Sequence, residues 1–314
     1  MMAAVLGLDT SNYTTSAAFF DGDGGRNIGR LLEVPEGALG LRQSDALFQH
    51  VKRMPDIFVA LKEAGLPNEI LAVGASTRPR DVEGSYMPCF LAGESQGKVL
   101  AEVLGIPFYT CSHQQGHVAA AAWSAGRMDL LDKPHLAWHL SGGTTELLYV
   151  KPEGVLVKAE CIGGTNDISA GQLIDRTGKR LGLAFPSGKA VDALSLQATK
   201  EESFPVKVRG FNFSFSGIEN KMNEMADQGE DPANICRFVL GSIINAVEKV
   251  TLSALEQYAD LPVLCAGGVA SNALLRDTMT RSCHAVFAPA EFSMDNAMGV
   301  AILTWRLLEE QHNA

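Results

Sequence analysis

Residues 3–21 read AAVLGLDTSNYTTSAAFFD, two apolar runs separated by a short polar stretch. This pattern predicts two strands joined by a tight turn, that is, a β-hairpin. The stretch PHLAWHLSGGTTELLYV at residues 134–150 repeats the pattern later in the chain, with the turn at 141–145. Two similar hairpins far apart in one chain are expected when an α/β domain has been duplicated. We therefore predict two lobes related by duplication.

Further strands and helices alternate around these hairpins. Apolar runs predict buried strands at 70–76 and 261–266, and polar segments predict loops at 205–216 and 228–231. Helical patterns fall at 44–64, 93–104, 113–123, 169–181, 189–198, 217–225, 232–258 and 295–311, and a further helix begins near Asn272. Strands alternating with helices indicate an α/β fold.

Composition limits the classes of partner. The chain has 314 residues, 46% of them hydrophobic, and a net charge of −10, which disfavours broad electrostatic adhesion to nucleic acid or to anionic membranes. Arg176, Lys179 and Arg180 form either a solvated helix face or a phosphate contact. The six cysteines contain no CxxC pair, which indicates reduced thiols. No basic leader and no apolar run of about 18 residues is seen, so we predict a cytoplasmic protein without a membrane span.

A histidine pair gives the first indication of chemistry. His113 and His117 are four residues apart on a predicted helix, so both imidazoles face the same way. Two imidazoles and one carboxylate suit a divalent first-row metal with open positions, and Asp295 is the candidate carboxylate. Cys111 is a possible fourth ligand or a buried thiol. Histidines at this spacing also occur by chance, and spacing alone does not connect them to Asp295.

Glycine turns give the second indication. The turn SGGT at 141–144 follows a predicted strand, and GGVASN at 267–272 follows another. Such turns either expose backbone N–H groups to a phosphate or simply reverse the chain, and Asn272 either contacts a nucleotide or caps a helix. Asp175 and Asp192 each follow a glycine turn. Their carboxylates would either bind ribose hydroxyls or a cation, or place a favourable negative charge at a helix N-terminus. Taken together, the turns predict a nucleotide cleft.

These motifs together resemble the TsaD family, the transferase subunit of the bacterial tRNA threonylcarbamoyl-adenosine synthase. The resemblance covers nearly the whole chain and rests on the segments 6–11, 113–117, 141–143, 170–175, 181–188, 214–217, 266–272 and 295–297. It implies the actin-like ATPase fold of the sugar kinase, heat-shock protein and actin superfamily, with two ribonuclease-H-like lobes and a nucleotide cleft between them. The expected lobes are 1–128 with 293–314, carrying the metal histidines, and 129–292, carrying the nucleotide loops.

The resemblance also implies the ligands. One divalent metal, iron or zinc, would be held by His113, His117 and Asp295. ATP, AMP or an acyl-adenylate would contact His139, Leu140, Ser141, Gly142, Gly143, Asp175, Gly188, Asp192 and Asn272. The implied partners are tRNA and either a homologous actin-fold protein or a second copy of the chain.

Several positions depart from the family pattern. Gln115 stands where the family has a glutamate between the histidines, Asn12-Tyr13-Thr14 replaces Cys-Asp-Glu, and Thr144 replaces a histidine. Residues 76–81, with Arg78 and Arg80, replace a Gly-Pro-Gly loop. We therefore expect a divergent paralogue that transfers a carbamoyl-type group to tRNA adenosine. The alternatives are a small-molecule acceptor or a non-catalytic nucleotide-binding regulatory or scaffold protein.

The catalytic residues are not identified by this reasoning, and Asp9 and Gln115 are the candidates. A protease of the zincin type is disfavoured, because such helices place a general-base glutamate after the first histidine, whereas Gln114 and Gln115 are both neutral.

Overall fold

The computed structural model describes residues 3–11, 13–34, 41–292 and 296–313. Asn12 and Asp295 therefore lie outside the described residues. The chain divides into two compact units. Unit 1 consists of the described parts of 1–133, 151–159 and 295–314, and unit 2 consists of 134–150 and the described parts of 160–294. The predicted lobe limits, 1–128 with 293–314 for the first lobe and 129–292 for the second, stay a prediction.

Unit 1 contains a five-stranded sheet in the order β3-β2-β1-β4-β5. The strands are β1 (Ala3–Asp9), β2 (Thr14–Phe20), β3 (Gly25–Leu31), β4 (Glu69–Arg78) and β5 (Phe108–Ser112). The first three strands pair antiparallel, whereas β4 pairs parallel to β1, and β5 parallel to β4. Its helices are α1 (Gln43–Glu63), α2 (Leu91–Leu104), α3 (His113–Ser124) and the last helix of the chain, α9 (Met298–Asn313). The predicted first hairpin is thus confirmed.

Unit 2 contains a six-stranded sheet in the order β11-β10-β6-β7-β8-β9. Its strands are β6 (His135–Leu140), β7 (Thr145–Glu153), β8 (Leu156–Thr165), β9 (Asn212–Phe213), β10 (Val263–Ala266) and β11 (Val286–Phe287). The far ends of β7 and β8 group with unit 1. Its helices are α4 (Ala170–Arg180), α5 (Gly188–Ser195), α6 (Ser216–Asp227), α7 (Pro232–Gln257) and α8 (Ala273–Cys283).

The two sheets repeat one topology. In unit 1 a meander of three strands, β3-β2-β1, continues beside β1 with two strands parallel to it, β4 and β5. Unit 2 has the same order in β8-β7-β6-β10-β11, and β9 is added beside β8. A shared strand order in both units is the expected result of duplication, so the prediction from the two hairpins is confirmed.

Helix α9 packs on the sheet of unit 1 at very close range because glycines face it. A Cβ added at Gly7 of β1 would lie 2.4 Å from the backbone N of Ala301, and one at Gly299 would lie 1.7 Å from the carbonyl O of Gly116 on α3. Only glycine leaves room for backbone to approach backbone at these two positions. The close packing therefore holds α9 against β1, and it holds α3, with the two histidines, against α9.

Helix α7 forms the centre of the core of unit 2. By length and composition it is, among the described helices, the one that could cross a membrane, yet 61% of its most apolar window is buried. Its inward side chains pack with the sheet in one cluster that includes Ile235, Val239, Ile243, Val247 and Val250. Such packing is typical of the core helix of a globular domain.

Short or polar strands account for the differences from the predicted elements. The predicted loop at 205–216 contains β9, and strands β3, β5, β8 and β11 were not predicted. Most residues of β3 are exposed or half-buried, so no apolar alternation marks it. Strands β9 and β11 have two residues each, and only their pairing with β8 and β10 identifies them.

Candidate functional site

Polar residues of unit 1 gather where its parallel strands end. Strand β1 ends at Asp9, β4 at Arg78, and β5 at Ser112, directly before His113. The parallel register brings these ends to one edge of the sheet, since Leu8 pairs with Ala75 and Ser76 with Cys111. The carboxyl-terminal edge of a parallel sheet is the usual place for a ligand site in α/β proteins.

The two histidines meet at this edge and are oriented by a carboxylate. The ring of His113 places Nδ1 2.6 Å from Oδ2 of Asp9 and Nε2 2.9 Å from Nε2 of His117. Asp9 is 1% exposed, and its other oxygen accepts the backbone N–H of Ser11 at 2.8 Å. With the Asp9 carboxylate as the acceptor, the His113 proton lies on Nδ1 and the Nε2 lone pair faces His117.

This arrangement fits a metal ion. Two nitrogens that each bind a zinc or iron ion at about 2.0–2.1 Å are roughly 3 Å apart, close to the separation of the two Nε2 atoms. Among residues 3–11, 13–34, 41–292 and 296–313, no three His, Cys, Asp or Glu side chains form a metal-binding group. Asp295, the predicted third ligand, lies outside these ranges, so the complete ligand set stays a prediction.

Cys111 has the properties of a structural thiol. It lies on β5 and is 3% exposed. Burial raises the pKa of its thiol, and the nearby Asp9 carboxylate raises that pKa further. A metal ligand must be a thiolate, so this environment does not favour a role for Cys111 as a fourth ligand.

Gln115 is occupied by structural hydrogen bonds. Its Oε1 accepts the backbone N–H of Ser112 at 2.7 Å, and the Ser112 hydroxyl accepts the backbone N–H of Gln115, which together form a capping box at the start of α3. Its Nε2 donates to the carbonyl O of Val157 at 2.7 Å, and the residue is 2% exposed. A glutamate could form the capping box but could not donate to Val157.

The arginine-containing loop that follows β4 lies beside the first turn of α3. The backbone N–H of Gln114 donates to the carbonyl O of Pro79 at 3.0 Å. Arg78 donates to Asp81 through both Nε and a terminal nitrogen, so its guanidinium is already paired within the loop. Arg80 is exposed, and its backbone N–H donates to Ser85 Oγ at 3.0 Å.

In unit 2, the glycine turn between β6 and β7 offers open backbone. The turn is closed by the Ser141 N–H, which donates to Thr144 O at 2.8 Å, and by the Thr144 N–H, which donates to Ser141 Oγ at 3.0 Å. Gly142 and Gly143 are exposed, and a Cβ at either would meet no atom within 4 Å. His139 and buried Leu140 end the strand before it. A phosphate could approach this backbone without steric hindrance.

The other predicted nucleotide residues are also in unit 2, and two of them touch. Asn272 Nδ2 donates to Asp192 Oδ1 at 2.7 Å, while Asn272 Oδ1 caps α8 by accepting the Leu275 N–H at 2.9 Å. Burial raises the pKa of Asp192, and the hydrogen bond from Asn272 opposes this. Asp175 Oδ1 accepts the Ser187 N–H at 2.8 Å, next to Gly188 at the start of α5.

The basic residues on α4 form ion pairs with α6. Arg176 contacts Glu219 at 2.9 Å, and Arg180 contacts Asp227. These pairs support the interpretation as a solvated face. The sequence did not predict a role for Asp167, whose carboxylate joins two segments 48 residues apart. The available sequence signal is its place shortly after the glycine pair Gly163-Gly164.

Known proteins resemble this chain over most of its length. A model of the TsaD family, described as tRNA N6-adenosine threonylcarbamoyltransferase, matches residues 42–302. A tRNA N6-adenosine threonylcarbamoyltransferase of Thermus thermophilus is 33% identical over 309 residues, which cover 96% of this chain and 92% of that protein.

Solved structures of low sequence identity share the fold. Component A of the (R)-2-hydroxyglutaryl-CoA dehydratase of Acidaminococcus fermentans superposes with a TM-score of 0.58 at 13% identity, covering 98% of this chain and 99% of its own. The ROK hexokinase of Thermus thermophilus gives 0.51 at 14% identity, with 98% and 99% coverage. The fold is therefore that of the actin-like ATPases, and the chain belongs to the TsaD family.

Proposed function

We propose that this chain is a metal-dependent, nucleotide-binding transferase that moves a threonylcarbamoyl group to an adenosine of tRNA, or carries out a closely related carbamoyl-type transfer as a divergent paralogue. The family membership supports the reaction class, since the matching relatives are named for it. The observation that carries the proposal is the pair of facing Nε2 atoms, 2.9 Å apart, with His113 oriented by Asp9.

The proposed metal ligands are His113, His117 and Asp295, with iron or zinc as the ion. When bound, the ion would act as a Lewis acid on the transferred carbonyl group. Asp9 holds the His113 tautomer that presents the Nε2 lone pair, so we propose a positioning role for Asp9. For Gln115 we propose a structural role, because both ends of its amide are already hydrogen-bonded away from the histidines.

The proposed nucleotide is ATP, AMP or an acyl-adenylate, bound by residues of unit 2. The open backbone of Gly142 and Gly143 suits phosphate oxygens, and the Asp192–Asn272 pair suits ribose hydroxyls. The remaining contacts proposed from the resemblance are His139, Leu140, Ser141, Asp175 and Gly188.

One alternative is a nucleotide-binding paralogue without catalytic activity. The neutral residues Tyr13 and Thr14, together with the structural use of Gln115, support it. The other alternative is transfer to a small-molecule acceptor, with Arg78 and Arg80 binding a carboxylate or phosphate group. It is weakened because Arg78 is already paired with Asp81.

For partners, we propose tRNA as the acceptor and a homologous actin-fold protein or a second copy of the chain as the associating protein. Helices α1 and α2 support such an association, because they expose the apolar side chains of Phe48, Val51, Val59, Val99 and Val103. Exposed apolar patches on soluble proteins commonly mark protein interfaces. We also propose a cytoplasmic location.

Two measurements test the proposal. Elemental analysis of the purified chain should find about one iron or zinc ion per chain, lost in His113→Ala and His117→Ala but retained in His312→Ala, an exposed histidine at the end of α9. Threonylcarbamoyl-adenosine should then form in tRNA when the chain is combined with the other enzymes of the pathway. Metal and nucleotide binding without this product would favour the non-catalytic paralogue. Wild type that takes up neither iron nor zinc would contradict the metal site.

A further inference from the structure

We propose that Asp167 is a positioning residue for the nucleotide-binding turn at 141–144, which it holds in place through the first turn of α4. This inference rests on the proposed function, since it gives the turn a ligand. It concerns a carboxylate that lies outside the predicted contact residues.

The Asp167 carboxylate collects hydrogen bonds from two separate segments. Oδ1 accepts Thr165 Oγ1 at 2.8 Å, the Ile168 N–H at 2.8 Å and the Phe215 N–H at 2.9 Å. Oδ2 accepts the Ser216 N–H at 3.1 Å and the hydroxyl groups of Ser214 and Ser216. Each oxygen thus has three donors, and the donors at 214–216 lie far along the chain from Asp167.

This carboxylate replaces a local cap on α6. Helix α6 begins at Ser216 after the N-cap residue Phe215, which supplies no side-chain cap. The free N–H groups of a helix N-terminus need acceptors, and a negative charge there is favourable. Asp167 supplies both, and so connects the loop between β8 and α4 to the start of α6.

The next residues along the chain transmit this connection to the glycine turn. Ser169 caps α4 and donates its hydroxyl to Gly142 O at 2.6 Å. The Ala170 N–H donates to Thr145 Oγ1 at 2.8 Å, and the Gly171 N–H donates to Ser141 O at 3.3 Å. A Cβ at Gly171 would lie 2.5 Å from Gly142 Cα, so helix and turn are in direct backbone contact.

Among the described hydrogen bonds, those of Ser141 and Gly142 either lie within the turn or run to α4. A Cβ at Gly143 would meet no atom within 4 Å. Partial burial would raise the pKa of Asp167, but the hydrogen bonds from Ser214, Ser216, Phe215 and Thr165 outweigh it and hold the pKa below its usual range. The Asp167 carboxylate is therefore charged at neutral pH.

The test compares ATP binding by wild type and Asp167→Asn, measured by calorimetry on the full chain. In either orientation of the new amide, its NH₂ group replaces an oxygen that accepted hydrogen bonds from residues 214–216. The donors on that side lose their acceptor, so the segment at 214–216 is released. We expect ATP affinity to fall at least tenfold. Hydrogen exchange at Ser141, Thr144 and Gly171, whose N–H groups are bonded within the turn or to it, should become faster.

A stability control separates positioning from general weakening. Val250→Ala, in the core of unit 2 and away from the turn, should lower the melting temperature while leaving ATP affinity within twofold of wild type. A double-mutant cycle adds a second check. Ser169→Ala breaks the same connection one step later, so the loss in Asp167→Asn combined with Ser169→Ala should be smaller than the product of the two single losses.

The inference is overturned if Asp167→Asn binds ATP within twofold of wild type, if Val250→Ala loses as much affinity, or if the two losses multiply. If wild type binds no ATP, the proposed nucleotide function fails, and hydrogen exchange alone decides. Faster exchange at Ser141, Thr144 and Gly171 in Asp167→Asn then supports the positioning role of Asp167, and unchanged exchange refutes it.

Discussion

The turns that follow β1 in unit 1 and β6 in unit 2 occupy equivalent places in the two sheets but have opposite character. In unit 1, Asp9 and Thr10 are buried, and Thr10 Oγ1 accepts the Gly93 N–H at 3.0 Å and donates to Cys89 O at 3.0 Å. In unit 2, Gly142 and Gly143 are exposed.

The difference comes from the helix that reaches each turn. In unit 1 the start of α2 covers the turn, so side chains there are fixed and can orient other groups, as Asp9 orients His113. In unit 2 the start of α4 supports the turn from one side and leaves its backbone open on the other. One duplicated topology thus provides a side-chain site in unit 1 and a backbone site in unit 2.

The largest expected effect comes from breaking the packing of unit 1. Gly7→Ala places a methyl group 2.4 Å from the backbone of α9, which cannot move aside as a side chain can. We expect a loss of about 3 kcal/mol in the free energy of unfolding, measured with urea. Gly24→Ala, where a Cβ meets no atom within 4 Å, is the control and should change stability little. Equal stability of both variants would show that α9 is not held as described.

Asp9→Asn tests whether the buried turn of unit 1 orients a metal ligand. Without a carboxylate, the His113 tautomer is no longer fixed, so the affinity for zinc should fall about 10–100-fold. Competition with a zinc chelator measures the change. Asp56→Asn, an exposed carboxylate 4.0 Å from Arg30, serves as control and should bind zinc as wild type does. Unchanged affinity in Asp9→Asn would argue against the orienting role.

Gly143→Ala tests the open turn of unit 2. Because a Cβ there meets no protein atom, the free energy of unfolding should stay within about 0.5 kcal/mol of wild type. The same methyl group would hinder a phosphate, so ATP affinity should fall about tenfold by calorimetry, or about 1.4 kcal/mol. An unchanged affinity would mean that phosphates do not approach Gly143.

The effect that is smallest at neutral pH, and grows only in acid, comes from His50 on the buried side of the unit 1 hairpin. His50 is 0% exposed, its Nδ1 lies 2.8 Å from Thr15 Oγ1, and burial lowers its pKa from 6.5 to about 4. Between these values the unfolded chain binds a proton that the folded chain does not. Stability from this residue is therefore complete above pH 6.5 and is lost as pH falls toward 4, by at most about 1.4 kcal/mol per pH unit.

His50→Gln should flatten the dependence of unfolding free energy on pH between 6.5 and 4, as urea titrations at several pH values would reveal. Val250→Ala, which lowers stability without removing a titratable group, is the control and should leave the slope unchanged. A wild-type slope in His50→Gln would mean that another group titrates in this window.

Local patterns were sufficient for the elements that bury an apolar face. Both hairpins, the long helices α1 and α7, and the strand before Gly267 were predicted from periodicity, because burial on one face imposes a repeat on the sequence. Strand β3 was not predicted because its residues are mostly solvent-exposed. Strands β9 and β11 were not predicted because two residues are too few to show a repeat.

The candidate sites divide in the same way. Spacing on one helix predicted that His113 and His117 point the same way, and the 2.9 Å between their Nε2 atoms agrees. The contact of Asp9 with His113 spans 104 residues, and that of Asn272 with Asp192 spans 80. No local pattern contains such contacts, since they depend on strand order and register.

The sequence by itself determined the duplicated α/β architecture, the histidine pair and the glycine turns, because each is set by hydrophobic repeat, helical spacing or backbone freedom within a few residues. Only the tertiary structure decided that Gln115 also bonds Val157, that Arg78 is paired with Asp81, and that Asp167 accepts hydrogen bonds from the start of α6. A polar side chain forms hydrogen bonds with the groups that the folded backbone brings within about 3 Å, so its partners are determined only once the chain has packed.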